Sequence, residues 1–294
     1  MLPSRWTARV GTVLELDRVR AFRAVLARFD ASGGSLLAGG LAYSALFAIV
    51  PLALLAAGLV GLLVSDHVVR DDVVRTIADV LPPLRGLLSL ILAEAAESAP
   101  TISIAGAVAL VWGGSRFLLA FEDAMSRVTG GPRTRGVLRR NALGIGAAIV
   151  LVTAVLLGVL VAGVAEFLDA AADQHAPVVI SIAASLALAL LPLGLALGAM
   201  ALVFRFIPDR RPSWRATSSP ALVVALAVTA VARIFVFIAP RLIGAAATIG
   251  TIATAFAALA WLGLTFQAIL LGAAWVGERQ ERERTAGVAT GPAG

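Results

Sequence analysis

Two arginines lie inside otherwise apolar stretches of the sequence and are the residues best suited to bind a ligand. Arg116 is the one charge within residues 101–121, and Arg233 is the one charge within residues 217–240. A guanidinium at the centre of a bilayer costs about 2.5 to 3.5 kcal/mol on insertion scales, so such residues usually face a protein interior and mark a site. A phosphate or a carboxylate is the natural ligand, because the guanidinium donates two parallel hydrogen bonds to either group.

The position of each arginine within its stretch favours a different interpretation. Arg116 lies near one end, where its side chain can extend to the interface or meet Glu122 and Asp123 within two turns. A structural role is therefore favoured for Arg116. Arg233 lies about 14 residues into its stretch at 1.5 Å each, roughly 20 Å from the surface. A structural partner and a substrate contact both remain open for Arg233.

Other polar or helix-bending residues also fall inside the apolar stretches. Tyr43, the single tyrosine, lies where an interfacial anchor is the usual explanation. Gln267 could hydrogen-bond across helices or line a polar path. Pro51 and Pro192 each remove a backbone hydrogen bond and kink a helix, either as a hinge or for packing. We therefore predict two sets, the substrate-pathway candidates Arg233, Arg116, Tyr43 and Gln267 and the hinge candidates Pro51 and Pro192.

Residue patterns of known enzyme sites are absent from the sequence. His67 and His175 each lack a second histidine or a cysteine at the spacing of a metal site, and the chain has no cysteine. No phosphate-binding glycine loop, dinucleotide-binding glycine pattern or nucleophile elbow occurs. We therefore predict that the protein is not an enzyme and that it has no catalytic residues, no cofactor and no bound metal.

Six stretches are long and apolar enough to cross a bilayer, and they are the elements that must position these residues. A helix crosses the hydrocarbon core in about 20 residues, because every backbone N–H and C=O must be satisfied within the segment. Charged residues make up 14% of the chain and hydrophobic residues 60%, whereas a soluble domain has about 25% charged residues. We predict an all-α, polytopic membrane protein with spans at about 36–64, 101–121, 142–165, 178–204, 219–240 and 252–277.

The distribution of the arginines predicts the orientation. The chain has 24 arginines and no lysine, and 18 of them lie in the N-terminal segment, the second and fourth connections and the tail. Only four lie in the first, third and fifth connections. Because positive residues are retained in the cytoplasm, both termini should be cytoplasmic, with the protein in the plasma membrane. The basic balance then reflects topology, so we expect no nucleic-acid partner.

Three segments lie outside the predicted spans. Residues 1–35 carry apolar residues at helical spacing among arginines, which predicts an amphipathic cytoplasmic helix. This helix either lies on an anionic leaflet or packs on the domain, and Gly33 and Gly34 break it. The connection between spans 1 and 2 predicts an extracytoplasmic helical hairpin, because a proline pair divides an amphipathic helix from a second, more apolar piece. Residues 278–294 predict a short charged helix end and a disordered cytoplasmic tail, which leaves 36–277 as the membrane domain.

Three patches of the sequence carry a family resemblance. They read GGLAYSALFAIVPLALL in span 1, FRFIPDRRPSWRATSSPALVVAL from span 4 into span 5, and TIGTIATAFAALAWLGLTFQAILLGAAWVGER in span 6. The matching positions are Ala42, Tyr43, Pro51, Arg205, Pro208, Asp209, Arg211, Trp214, Gly250, Trp261, Leu271, Gly272 and Glu278. Over about residues 36–278 the chain resembles the YihY/BrkB family of bacterial membrane proteins, once mislabelled ribonuclease BN. It departs at Ile249, where the family usually has tyrosine, and at Ser219–Ala221, where the family has Pro-Gly-Ala.

These observations predict an inner-membrane transporter or flippase-like protein for an amphipathic, anionic lipid or envelope precursor. Membrane lipids are the expected partners, and a homo-oligomer is left open. A non-transporting scaffold for envelope homeostasis is the alternative from another class. A membrane-associated ribonuclease is the remote one, since the predicted inner face offers only a few acidic residues, each beside arginines.

Overall fold

The computed structural model of the protein describes residues 19–63, 99–131, 193–208, 212–245 and 250–289. Within these residues all regular secondary structure is helical. The helices are α1 (Val19–Ala31), α2 (Gly34–Leu63), α3 (Ala99–Thr129), α4 (Leu193–Phe206), α5 (Trp214–Ala245) and α6 (Gly250–Ala289). The all-α prediction is therefore confirmed for the described part of the chain.

Two helices are long and apolar enough, by length and composition, to cross a membrane. They do so over Trp214–Ile238 of α5 and Thr254–Thr285 of α6. The bent pair α1 and α2 meets the same criterion if it is counted as one span, which makes three. These helices support the prediction of a membrane protein but not the count of six spans. The predicted span at 142–165 and nearly all of the predicted hairpin lie outside the described residues.

The break between α1 and α2 lies at the predicted glycine pair. Gly33 has a φ of 71°, in the left-handed region that glycine adopts without steric cost, and its N–H donates to the carbonyl of Asp30 at 2.9 Å. The two helices are bent by 60° here. Gly34 has no side chain where the ring of Phe29 packs against it. Phe29 is buried, so α1 packs on the domain, which is one of the two arrangements expected for this segment.

The core lies among α2, α3, α5 and α6, and glycines let the helices approach closely. A Cβ at Gly113 of α3 would lie 3.2 Å from the carbonyl oxygen of Phe47 on α2. A Cβ at Gly272 of α6 would overlap Val224 of α5 and lie 2.7 Å from the ring of Phe204 on α4. Lipid is as apolar as these side chains, so close packing rather than escape from water holds such helices together.

Helix α6 continues well beyond its apolar part. The sequence predicts a short charged helix end and then a disordered tail after residue 277, and the helix continues to Ala289. Within the helix Arg282 donates to Glu278 at 3.1 Å, an i,i+4 pair that favours continuation. Other side chains of this extension contact α1 and the start of α5, as described below. These tertiary contacts, which local sequence does not reveal, explain why the helix is longer than predicted.

Candidate functional site

Arg233 lies on the outer face of α5 rather than in the described core. Its side chain is exposed and belongs to a stripe of exposed positions three or four residues apart, formed with Val223, Leu226, Ala230 and Phe237. Among the described residues Arg233 makes no hydrogen bond or ion pair. The described helices therefore do not bury Arg233, and its place in a substrate pathway stays a prediction.

The other three pathway candidates are also exposed, each on a different helix. On α3 the guanidinium of Arg116 lies 5.9 Å from the ring centre of Trp112, one turn earlier, in a cation–π contact. On α2 the ring of Tyr43 lies 4.7 Å from that of Phe47. On α6 Gln267 is exposed, on the same face of the helix as exposed Leu264. The described helices therefore do not gather the four candidates around an inner path.

The two hinge candidates differ in what can be said of them. Pro51 is half-buried inside α2, and the helix continues through it from Gly34 to Leu63. Pro192 lies just outside the described residues, next to the first residue of α4. A hinge role for either proline stays a prediction.

A dense set of polar contacts lies where α1, α3 and α6 meet, at a place that the sequence did not indicate. Arg28 of α1 donates from Nε to the carbonyl of Val128 at 3.0 Å and from Nη2 to that of Thr129 at 2.8 Å. Its Nη1 donates to Glu281 Oε2 of α6 at 2.9 Å, with Glu278 Oε2 at 3.9 Å. We call these five residues the helix-end junction.

The C-terminus of α3 explains why an arginine lies at the helix-end junction. The last carbonyls of a helix have no partner within it and carry the negative end of the helix dipole, so a cation there is stabilised. Gly130 ends α3 with a φ of 75°, and the N–H of Gly131 returns to the carbonyl of Ser126 at 3.1 Å. Gly277 lets α6 come close, since a Cβ there would lie 2.9 Å from Arg28 Nε.

The chemistry open to the helix-end junction is limited. A cavity of about 70 Å³ adjoins it, and its lining includes Arg28, Gln280, Glu281 and Arg284. All three nitrogens of the Arg28 guanidinium group already donate to protein acceptors, so this side chain connects helices and is not free to bind a ligand. In the described ranges no three histidine, aspartate, glutamate or cysteine side chains lie together as a metal site would require.

A second polar set lies where α4 ends, α5 begins and α6 becomes charged. Arg205 lies 5.4 Å from the ring centre of Trp214, and Arg279 lies 5.4 Å from that of Trp275. Arg279 Nη1 also donates to the carbonyl of Arg215 at 3.0 Å. We call these five residues the arginine–tryptophan cluster. Arg205 and Trp214 are among the positions that match the resembled family, so the sequence had already singled out part of this cluster.

Ser213 caps α5 beside the cluster. Its hydroxyl accepts from the N–H of Ala216 at 3.0 Å, as an N-cap does. The same hydroxyl donates to the carboxylate of Glu283 at 2.9 Å. The charged extension of α6 therefore contacts α1 and α3 through Glu281 and Arg28, and α5 through Glu283 and Arg279.

Comparisons with known proteins agree with the membrane helices. The family described as virulence factor BrkB matches residues 25–293. A protein of Chromohalobacter salexigens, described as a UPF0761 membrane protein, is 25% identical over 279 residues. That match covers 90% of this chain and 65% of the relative, so the chain spans about two thirds of the relative's length. No solved structure matches the chain. With a match over most of its length, the chain belongs to the BrkB family of membrane proteins.

Proposed function

We propose that this BrkB-family protein is a transporter or flippase-like protein for an anionic amphipathic molecule, such as a lipid or an envelope precursor. The observation that carries the proposal is Arg233. It is the one charge on the apolar part of α5, it is exposed, and it has no partner among the described residues. A protein that only needed to pack this helix would be more stable with an apolar residue here.

The surroundings of Arg233 support a ligand that is anionic at one end and apolar along its length. Exposed Val223, Leu226 and Phe237 share the outer face of the helix with the arginine. A guanidinium in such surroundings gains most from a phosphate or carboxylate, which accepts two hydrogen bonds from it. Acyl chains suit the apolar side chains above and below. The sequence has no ATP-binding loop, so a gradient, exchange or a partner would drive movement.

Transfer of a fluorescent phosphatidylglycerol analogue between the leaflets of reconstituted vesicles tests the proposal. We expect transfer with the unaltered chain and at least about a tenfold loss with Arg233→Ala, the loss expected when a charge-assisted hydrogen bond of 1.5 to 3 kcal/mol is removed. Arg233→Lys keeps the charge without the two parallel donors and should transfer at an intermediate rate.

Arg241→Ala is the matched control for this experiment. Arg241 lies on the same helix and is exposed. Its Nη1 donates to the carbonyl of Phe237 at 2.9 Å, and its guanidinium lies over the ring of that residue. The Arg241→Ala substitution should leave transfer unchanged. Equal transfer by the Arg233→Ala protein and the unaltered chain would contradict the role of Arg233. No transfer by the unaltered chain would favour the scaffold alternative.

We also propose that the helix-end junction lies on the cytoplasmic side of a bacterial plasma membrane, with both termini there. The excess of arginines in alternate connections supports this orientation. A reporter that is active only outside the cytoplasm, such as alkaline phosphatase, should be inactive when fused after Glu278. Activity of that fusion would reverse the topology.

A further inference from the structure

Three helices change from apolar to charged sequence at the same end of the described bundle. Arg205 is next to the last residue of α4, Trp214 is the first residue of α5, and charged residues begin in α6 after Gly277. The contacts of Arg205 with Trp214 and of Arg279 with the Arg215 carbonyl hold these three ends together. A membrane that surrounds the apolar parts therefore has its head-group region at the arginine–tryptophan cluster.

The side chains of this cluster suit that region. Trp214 is 56% exposed, and tryptophan is enriched where hydrocarbon meets head groups because its ring is apolar and its N–H is polar. Arg215 is exposed and Arg205 is partly exposed. The carboxylate of Glu283 lies beside the cluster and accepts a hydrogen bond from Ser213. The described cluster itself contains three cations and no acid.

We propose that the arginine–tryptophan cluster binds the phosphodiester head group of an anionic phospholipid. The guanidinium groups of Arg205 and Arg215 make no hydrogen bond to the described residues, whereas Arg279 uses Nη1 for the Arg215 carbonyl and keeps its other donors. Basic pockets between membrane helices on the cytoplasmic side bind anionic head groups in this way. The site is separate from Arg233, so it does not depend on the function proposed above.

Equilibrium lipid binding to the full chain in mild detergent tests this site. Native mass spectrometry would follow titration with dioleoylphosphatidylglycerol and, in parallel, with dioleoylphosphatidylcholine. We expect tighter binding of the anionic lipid, weakened about fivefold by Arg205→Gln and about fivefold by Arg279→Gln, the ratio that corresponds to about 1 kcal/mol per basic residue at an anionic surface. The double variant should lose more than either single variant, by an amount that measures the coupling of the two arginines through the shared head group.

Controls separate a binding site from a structural role. Arg241→Gln removes another exposed arginine of α5 and should leave binding unchanged. Phosphatidylglycerol should raise the melting temperature of the unaltered chain and of the double lysine variant by more than that of the double glutamine variant. If the arginines were only structural, the glutamine variant would melt lower and still show the full lipid-dependent rise, which would overturn the proposal.

Three further outcomes would also overturn it. They are equal binding of the two lipids, displacement of phosphatidylglycerol by excess inorganic phosphate, which would indicate a free-anion site, and loss of the bound lipid with Arg233→Ala but not with the cluster variants. Because this experiment measures binding at the cluster and the vesicle experiment measures transfer through Arg233, either proposal can fail while the other stands.

Discussion

Arg28 and Arg233 are both arginines, but the first is hydrogen-bonded through all three guanidinium nitrogens and the second is exposed without a partner among the described residues. Arg28 donates to two carbonyls and a carboxylate and holds the ends of α1 and α3 against the charged extension of α6. Arg233 is exposed on an apolar helix face and has no partner among the described residues. The comparison teaches that an arginine in this chain is structural where free acceptors exist and available where they do not.

The difference follows from the hydrogen bonds of the helix backbone. The last four carbonyls of a helix have no intrahelical partner, so an arginine near a helix end finds acceptors at once. In the middle of a helix every carbonyl accepts from the N–H four residues on. Arg233 lies within α5 and Arg28 reaches the end of α3. An arginine in the middle of a span therefore has fewer open backbone acceptors within reach and depends more on a side chain, water, lipid or a ligand.

The largest effect on stability is expected for Arg28→Ala. It removes three hydrogen bonds, frees two carbonyls at the end of α3 and leaves Glu281 without this cation, so the free energy of unfolding should fall by about 3 kcal/mol. Thermal unfolding in mild detergent measures the change. Arg282→Ala is the matched control, because Arg282 is 56% exposed and its ion pair within the described part of the chain runs along its own helix to Glu278, which is worth less than about 0.5 kcal/mol. Equal losses for both variants would contradict the junction.

A smaller loss is expected for Gly272→Ala, which compares the packed and open faces of α6. The added methyl group meets Val224 and Phe204, and overpacking of this kind costs about 1 to 3 kcal/mol. Gly263→Ala places the same group where no described atom lies within 4 Å. It should leave stability unchanged or raise it by up to about 1 kcal/mol through helix propensity. The two melting temperatures, measured side by side, decide whether α4 and α5 pack on this face.

Arg233→Ala should change stability by less than about 0.5 kcal/mol, because no hydrogen bond or ion pair with the described residues is lost. Arg233→Leu should be at least as stable as the unaltered chain in a bilayer, since it removes a charge from an apolar face. Both variants should nevertheless fail in lipid transfer. A melting temperature lowered as far as that of Arg28→Ala would show that Arg233 has a structural partner, and the contrast between the two arginines would disappear.

No effect at all is expected in a ribonuclease assay. Purified, nuclease-free protein should cleave transfer RNA no faster than a matched membrane preparation, because the sequence has no clustered acid, base or metal ligands on the predicted inner face. Cleavage that is lost on replacing Glu122 or Asp123 would revive the enzyme alternative. Glu122 and Asp123 both have interaction partners in the structure.

Local sequence predicted some elements well and others poorly. The glycine break between α1 and α2 was predictable because left-handed backbone strongly favours glycine. The family was predictable because its patches place glycine, tryptophan and proline at fixed spacing, and the family match confirms it. The full length of α6 was not, because only a short charged helix end was predicted before a disordered tail. The side chains that extend it are partners of Arg28 and Ser213, more than 60 residues away in sequence.

The sequence by itself determined that this is an all-helical membrane protein of the BrkB family, because apolar length and residue patterns are properties of short segments. Only the tertiary structure decided which arginines are tied and which are available. Among six arginines of the N-terminal segment nothing in the sequence singled out Arg28. Its role arises from the end of α3, about 100 residues later, and from the charged extension of α6. The acceptors of an arginine are set by which helix ends meet, and that is decided by packing.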